Sequence, residues 1–379
     1  MPLAIILTGE VHMRFVFRVL SAMIFAVAGT VATAAQPASA ASLPGFVLSS
    51  TAVNLPAELT PLATGRRIQY VSTGLTGNLI TATGLILTPK SGKKNKTVAW
   101  AHGTTGLADQ CAPSANYGVF WPEARAAVAE LLSRGWTVAA PDYPGLGTPQ
   151  AHPYLIGNSE GRSLIDSVKA ARNLDAALSP QYAVDGHSQG GQGAIFASQL
   201  APSYDGTLVL KGTASIAPVS NTQYIIPYIA GTPNQGYLVM ALYGVNAVEP
   251  TFNPYTVLAA PAEAKLGVLN TGCLNEILAT YRDFTAAELV NGGTVPTAVV
   301  TKMAGYENPA QTAPSAPVLI VHGEDDEAVP YFLSTDYLVP QIQAYGVPVT
   351  FLGLPGADHE EAVFESTEYV ADWIAARFA

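Results

Sequence analysis

Short apolar runs alternate with stretches of helical periodicity along most of the chain. Residues 67–73 and 79–87 are β-rich runs separated by Gly-containing turns, and they predict two strands. Residues 97–101 form a third apolar run that stops at His102-Gly103. Residues 122–133 then place Ala and Leu at helical spacing, with Pro122 in the first turn and Gly135 as the stop. A strand over 136–140 follows, then the loop 141–147. Leu164, Ile165, Val168, Ala171 and Leu174 recur on one face and predict a helix over 161–178. A strand at 182–185, a helix at 189–200 and a strand at 208–216 continue the rhythm. Strands that alternate with helices imply a mostly parallel sheet covered on both faces.

The rhythm breaks over residues 220–312, which lack βα alternation and carry Tyr224, Tyr228, Tyr237, Met240, Leu242 and Tyr243 among many Pro and Asn. It resumes with a strand at 317–321, a helix at 331–344, a strand at 347–352 and a last helix from about Glu360. Residues 41–219 and 313–379 therefore read as one core, and 220–312 as an insertion between two of its strands. Residues 41–65, rich in Ser, Pro and Ala, read as a surface wrap.

Charge narrows the partners. The net charge of −10 repels a polyanion, and the small cluster Lys93, Lys94 and Lys96 offers no basic stripe, so nucleic acid is not an expected partner. The first 40 residues read as an export signal. Met13, Arg14 and Arg18 precede an apolar stretch at 19–31, and Ala38-Ser39-Ala40 forms an A-x-A cleavage site, with Ala32-Thr33-Ala34 as a second candidate. Glu10 precedes the positive region, which points to a translation start at Met13. The apolar stretch is short for a membrane span, and no run of about 20 apolar residues follows it. In an oxidising compartment Cys111 and Cys273 either pair or remain two buried thiols.

The candidate chemistry begins at Gly186-His187-Ser188-Gln189-Gly190, a G-x-S-x-G motif set between a predicted strand and a predicted helix. That context defines a nucleophile elbow, in which Gly186 and Gly190 let strand and helix approach while Ser188 is held above the sheet. Serine needs a base. The chain has six histidines, so elimination is possible. His12 lies in the export segment and His187 adjoins the serine. His102 and His322 end apolar strands, and His152 precedes the nucleophile. His359 follows the last predicted strand, where α/β-hydrolases carry their base. The acid should follow a strand between serine and histidine. Asp326 does so, in G-x-x-D-x-x-V-P with Gly323, Val329 and Pro330, and Asp325 is its competitor. For the oxyanion the expected donors are the backbone N–H of Gln189 and that of Thr104 or its neighbour Thr105, in the loop after the third core strand.

Five runs occur in one order: AHGTTG from Ala101, CAPS from Cys111, PDYPGLG from Pro141, GHSQGGQGA from Gly186 and HGEDDEAVP from His322. Together they resemble the secretory lipase family of the α/β-hydrolase superfamily, the group that contains Candida antarctica lipase A and bacterial relatives. The resemblance covers most of residues 60–379. It implies carboxylesterase or triacylglycerol lipase activity without a cofactor, with Ser188, Asp326 and His359 as the triad. It also implies a mainly helical cap at 220–312, before the strand carrying the acid, and a disulfide from Cys111 into the cap at Cys273. The expected substrate is a small-molecule or lipid ester, the expected setting extracellular or cell-envelope, with contact to a lipid interface open. Rivals on the same fold are an acyltransferase and a peptidase. A non-catalytic binding module would more often lack part of the triad, and a metallohydrolase finds no H-E-x-x-H here.

Overall fold

The computed structural model describes residues 43–379, so the export-signal expectation for 1–40 lies outside the described residues. A nine-stranded sheet organises the chain. Its strands are β1 (Val47–Val53), β2 (Ala63–Thr73), β3 (Leu79–Pro89), β4 (Thr97–Ala101), β5 (Thr137–Pro141), β6 (Gln181–His187), β7 (Val209–Ile216), β8 (Val318–Gly323) and β9 (Val349–Leu354). They lie in the order β1-β2-β3-β5-β4-β6-β7-β8-β9. The first three pair antiparallel and join β5 antiparallel, while β4 through β9 run parallel.

Helices cover both faces, as parallel strands require. On one side α1 (Pro122–Ser133), α12 (Glu361–Phe364) and α13 (Thr367–Phe378) pack Leu131, Leu132, Val363 and Trp373 over Trp100, Trp136 and Val138. On the other, α2 (Gly157–Leu174) and α3 (Gln189–Tyr204) bury Leu164, Ile165, Val168, Ala194 and Ala197 against Ala99, Ala101 and Val184. Between β7 and β8 the chain is helical: α4 (Ile226–Ile229), α5 (Gly236–Val248), α6 (Ala260–Glu263), α7 (Val268–Thr271), α8 (Leu274–Tyr281), α9 (Ala286–Leu289) and α10 (Thr297–Glu307). These short helices share a separate core of Leu238, Met240, Leu242, Ile277, Tyr281 and Met303. Helix α11 (Val339–Ala344) fills the β8–β9 crossover. No helix among the described residues is long and apolar enough to cross a membrane.

Three sequence expectations need correction. Residues 41–65 are not only a surface wrap, because they contain β1; as an edge strand with mostly exposed side chains it lacks an apolar signature. Helix α2 begins at Gly157 rather than 161, since Ser159 and Glu160, which look like loop residues, face the interior. The helix expected over 331–344 is a wide-turned π segment, Leu333–Leu338, before it becomes α11.

Candidate active site

The functional candidates sit on loops at the C-terminal ends of parallel strands, where an open α/β sheet leaves a crevice. Ser188 follows β6 directly and precedes α3. Its backbone has φ 59° and ψ −119°, outside the comfortable region for a residue with a Cβ. The turn is held in place by Ser188 N–H donating to Ile216 O (2.9 Å), and by Gln192 N–H donating to Ser188 O (3.1 Å). The two glycines are demanded by close approach. A Cβ on Gly186 would overlap the Gly190 carbonyl, and one on Gly190 would overlap the Ala101 carbonyl at the end of β4.

Asp326 lies in the loop after β8, and His359 in the loop after β9. His359 Nδ1 is 2.6 Å from Asp326 Oδ2, with both side chains buried. The other carboxylate oxygen, Oδ1, accepts backbone N–H bonds from Ala328 (2.9 Å) and Val329 (2.7 Å). Burial pushes the Asp326 carboxyl up, but hydrogen bonds from His322 and His359 outweigh it and hold the group well below the usual carboxylate range. Burial alone would lower His359, yet the Asp326 carboxylate raises its pKa above 6.5 overall. Asp325, the competing acid, is exposed, as are Glu324 and Glu327.

The loop after β4 brings Thr104 beside Ser188. Thr104 Oγ1 is 2.8 Å from the Tyr154 hydroxyl, and its carbonyl accepts Trp121 Nε1–H (3.0 Å). The backbone N–H groups of Thr104 and Gln189 donate to no protein acceptor among the described residues. The Thr105 N–H likewise donates to no protein acceptor among the described residues, but Thr105 does not line the space at Ser188, and its carbonyl accepts Leu274 N–H (2.9 Å) at the start of α8. A disulfide joins Cys111, just beyond this loop, to Cys273, the residue before α8. The helical insertion is thus tied to the loop that carries Thr104.

Two cavities meet at Ser188, and Thr104 and Tyr237 line both. One, narrow, is walled chiefly by apolar groups, among them Ile225, Ile226, Leu238, Met303 and Val329. The other, roomier, is lined by His359, His187, Glu123, Glu360, Asn275 and Trp121. His359 therefore faces the second cavity beside the serine.

Several further residues meet at the site. His322, on β8, places Nε2 3.2 Å from Asp326 Oδ2 and 2.8 Å from Val329 O, while its Nδ1 lies 2.7 Å from Ser334 Oγ. His187 donates from Nε2 to the His359 carbonyl (3.0 Å), steadying that residue through its backbone. Glu160 accepts Gln189 Nε2–H (2.7 Å) and Leu155 N–H (3.1 Å), so it pins the side chain of the residue after the serine. Burial pushes its carboxyl up to about 8 against those two bonds. Its signal in the sequence is a lone acid one helical repeat before Leu164 and Val168, on the apolar stripe those residues define once the helix is extended back to it. Glu123 has no such signal, and His322, although it opens the HGEDDEAVP run, reads there only as a strand end; folding alone brings both to the site.

Comparison with known proteins fits this architecture. The secretory lipase family model matches residues 122–379. A secreted triacylglycerol lipase of Malassezia furfur is 29% identical over 268 residues, covering 65% of this chain and 53% of that protein. Another, from Malassezia globosa, is 28% identical over 313 residues, covering 77% of this chain and 66% of that one. The chain thus spans between half and two thirds of the length of these relatives. Among solved structures, Candida antarctica lipase A in its closed state aligns with a TM-score of 0.71 at 22% identity, over 84% of this chain and 78% of its own. The rice cell wall degrading esterase LipA from Xanthomonas oryzae aligns at 0.73 and 20% identity, over 88% and 98%. Those structural likenesses establish the α/β-hydrolase fold, and the family match over well more than half of the sequence places the chain in the secretory lipase family.

Proposed function

We propose that this protein is an exported serine hydrolase that cleaves carboxylic esters, with Ser188 as nucleophile, His359 as base and Asp326 as orienting acid. The observation that carries the reading is convergence. A strained serine and an Asp326-bound histidine, 171 positions apart in a chain of 379 residues, face one cavity at the same edge of the sheet.

In the proposed cycle, neutral His359 takes the Ser188 proton through Nε2 as Oγ attacks the ester carbonyl. Asp326 fixes the Nδ1–H tautomer and stabilises the imidazolium without accepting the proton. The N–H groups of Gln189 and Thr104 hold the oxyanion, each worth about 2.7–4 kcal/mol in comparable enzymes. Thr104 is preferred to Thr105 because it borders both cavities beside Ser188. His359 then protonates the departing alcohol, and water repeats the sequence on the acyl-enzyme. The apolar cavity suits a hydrocarbon acyl group, and the relatives named triacylglycerol lipases support a lipid ester as substrate. The helical insertion at 220–312 acts as the cap that shapes this cavity.

The test is chemical. A fluorophosphonate should form one covalent adduct, on the peptide containing Ser188, and abolish ester hydrolysis, while Ser188→Ala takes up none. An adduct on another serine, or full activity after labelling, would refute the assignment.

A further inference from the structure

The two cavities at Ser188 differ in chemistry, and the position of the base decides which arm of an ester enters each. The leaving alkoxide must receive its proton from His359, so the alcohol portion has to lie on the His359 side of the serine. His359 lines the polar cavity and does not line the apolar one. The acyl group therefore enters the cavity of Ile225, Ile226 and Met303, and the alcohol enters that of Glu123, Asn275 and Glu360.

This alcohol cavity is mixed: Trp121, Tyr237 and Leu274 give it apolar wall, and Glu123, Asn275 and Glu360 give it the polar groups that the acyl cavity largely lacks. Glu123 stands in the first turn of α1 with its side chain buried, and its carboxyl borders the space into which the alcohol must leave. Covering a buried carboxyl with an alkyl chain would remove its remaining hydration without replacing the hydrogen bonds. Asn275, exposed on the first turn of α8, and Glu360, next to the base, add two more hydrogen-bonding groups to the same wall. All three can accept a hydroxyl proton, and Asn275 can also donate. Carboxylates on the wall also disfavour an anionic alcohol such as a phosphorylated one.

We infer that the cavity formed by Glu123, Asn275 and Glu360 is a subsite for a hydroxyl-rich alcohol, so that this hydrolase prefers esters of a polyol bearing free hydroxyls over esters of a long alkyl alcohol. Glu123 is the specificity-determining group. A fully acylated glycerol would place hydrocarbon against that wall, whereas a partly acylated glycerol or a sugar ester would place hydroxyls there. The inference rests on the proposed roles of Ser188 and His359.

Matched butyrates test it on the full chain. Glycerol monobutyrate, a glucose monobutyrate and n-butyl butyrate carry the same acyl group and differ only in the alcohol. The expected kcat/KM for at least one polyol ester exceeds that for n-butyl butyrate by about tenfold or more, the worth of one well-placed hydrogen bond. Whichever of the two leads tells glycerol from sugar. Glu123→Leu should compress that ratio about tenfold, and Glu123→Gln, which still accepts a hydrogen bond, should keep more of it. Asn275→Leu, at an exposed position, should shift the ratio in the same direction and covers the case in which the buried Glu123→Leu does not fold. Equal kcat/KM for all three esters, or equal falls on all three in both Leu variants, would overturn the subsite while leaving the hydrolase reading intact. Absence of turnover on every ester would defeat that reading, and the subsite with it.

Discussion

Asp326→Asn separates a catalytic role for this carboxylate from a merely structural one. The amide is nearly isosteric, but only one of its two ends accepts hydrogen bonds. Oδ1 of Asp326 receives two backbone N–H bonds, from Ala328 and Val329, and Oδ2 receives His359 Nδ1. If the amide oxygen stays with the backbone donors, its NH2 faces His359. Nδ1 must then accept, and the proton moves to Nε2, where the ring can no longer take one from Ser188. The flipped amide would keep the right tautomer but leave two N–H donors facing an NH2, at about 1–3 kcal/mol each. The first arrangement wins, and the variant should stay folded with the wrong tautomer. Comparable triads lose about four orders of magnitude in kcat from this change, equivalent to about 5.4 kcal/mol in the barrier. The assay is initial-rate hydrolysis of p-nitrophenyl butyrate, with thermal unfolding to confirm the fold. A folded variant that loses less than about tenfold would refute the argument, and equal loss in Asp325→Asn would transfer the role to the neighbour.

Activity should fall on acidification with a midpoint above pH 6.5, because the Asp326 carboxylate raises His359 and the base must be neutral; a pH–rate profile flat through this region would contradict it. Stability should run the other way. Burial raises the carboxyls of Glu160 to about 8 and of Glu307 and Asp185 to about 7, so the folded chain keeps protons that the unfolded chain has released. Stability from these groups declines as pH climbs from about 4 to 8, and that from the raised His359 as pH climbs past 6.5; buried His152, lowered to about 4, and His102 and His187, also lowered by burial, act the other way only below about 6.5, and the contribution of Asp326 is lost only below about 4. Tm should therefore be higher at about pH 5 than at about pH 8, and a rise across that interval would refute the ordering. Finally, reduction of Cys111–Cys273, which closes a sequence separation of 162 residues, should lower the unfolding free energy by about 2–4 kcal/mol. Urea melts with and without reductant should show this for the wild type and not for Cys273→Ser.

Much of the core was legible because a doubly covered parallel sheet writes itself as apolar runs spaced by helical periodicity. Strand β4 and helix α1 occupy the expected residues, and the loops after β4, β6, β8 and β9 lie where fold logic put the candidate chemistry. Strand β1 escaped because an exposed edge strand needs no apolar face. The insertion escaped in detail because helices of four residues, such as α6 and α9, are too short to display a period. Ser188, Asp326 and His359 could be named from their order relative to strands. His322 and Glu123 could not, since their significance depends on which strand or helix ends beside His359. Glu160 was visible in principle as a carboxylate on a buried stripe, a conflict between local pattern and charge that often marks a site.

The central claim is that Ser188 is the nucleophile of an ester hydrolase, and hydrolysis of p-nitrophenyl esters from acetate to palmitate by the wild type and by Ser188→Ala tests it most directly. The account predicts turnover in the wild type, with a chain-length preference set by the apolar cavity, and a loss of at least about three orders of magnitude in kcat for a folded Ser188→Ala. Wild-type rates in Ser188→Ala, or a folded wild type inactive on every ester, would contradict it.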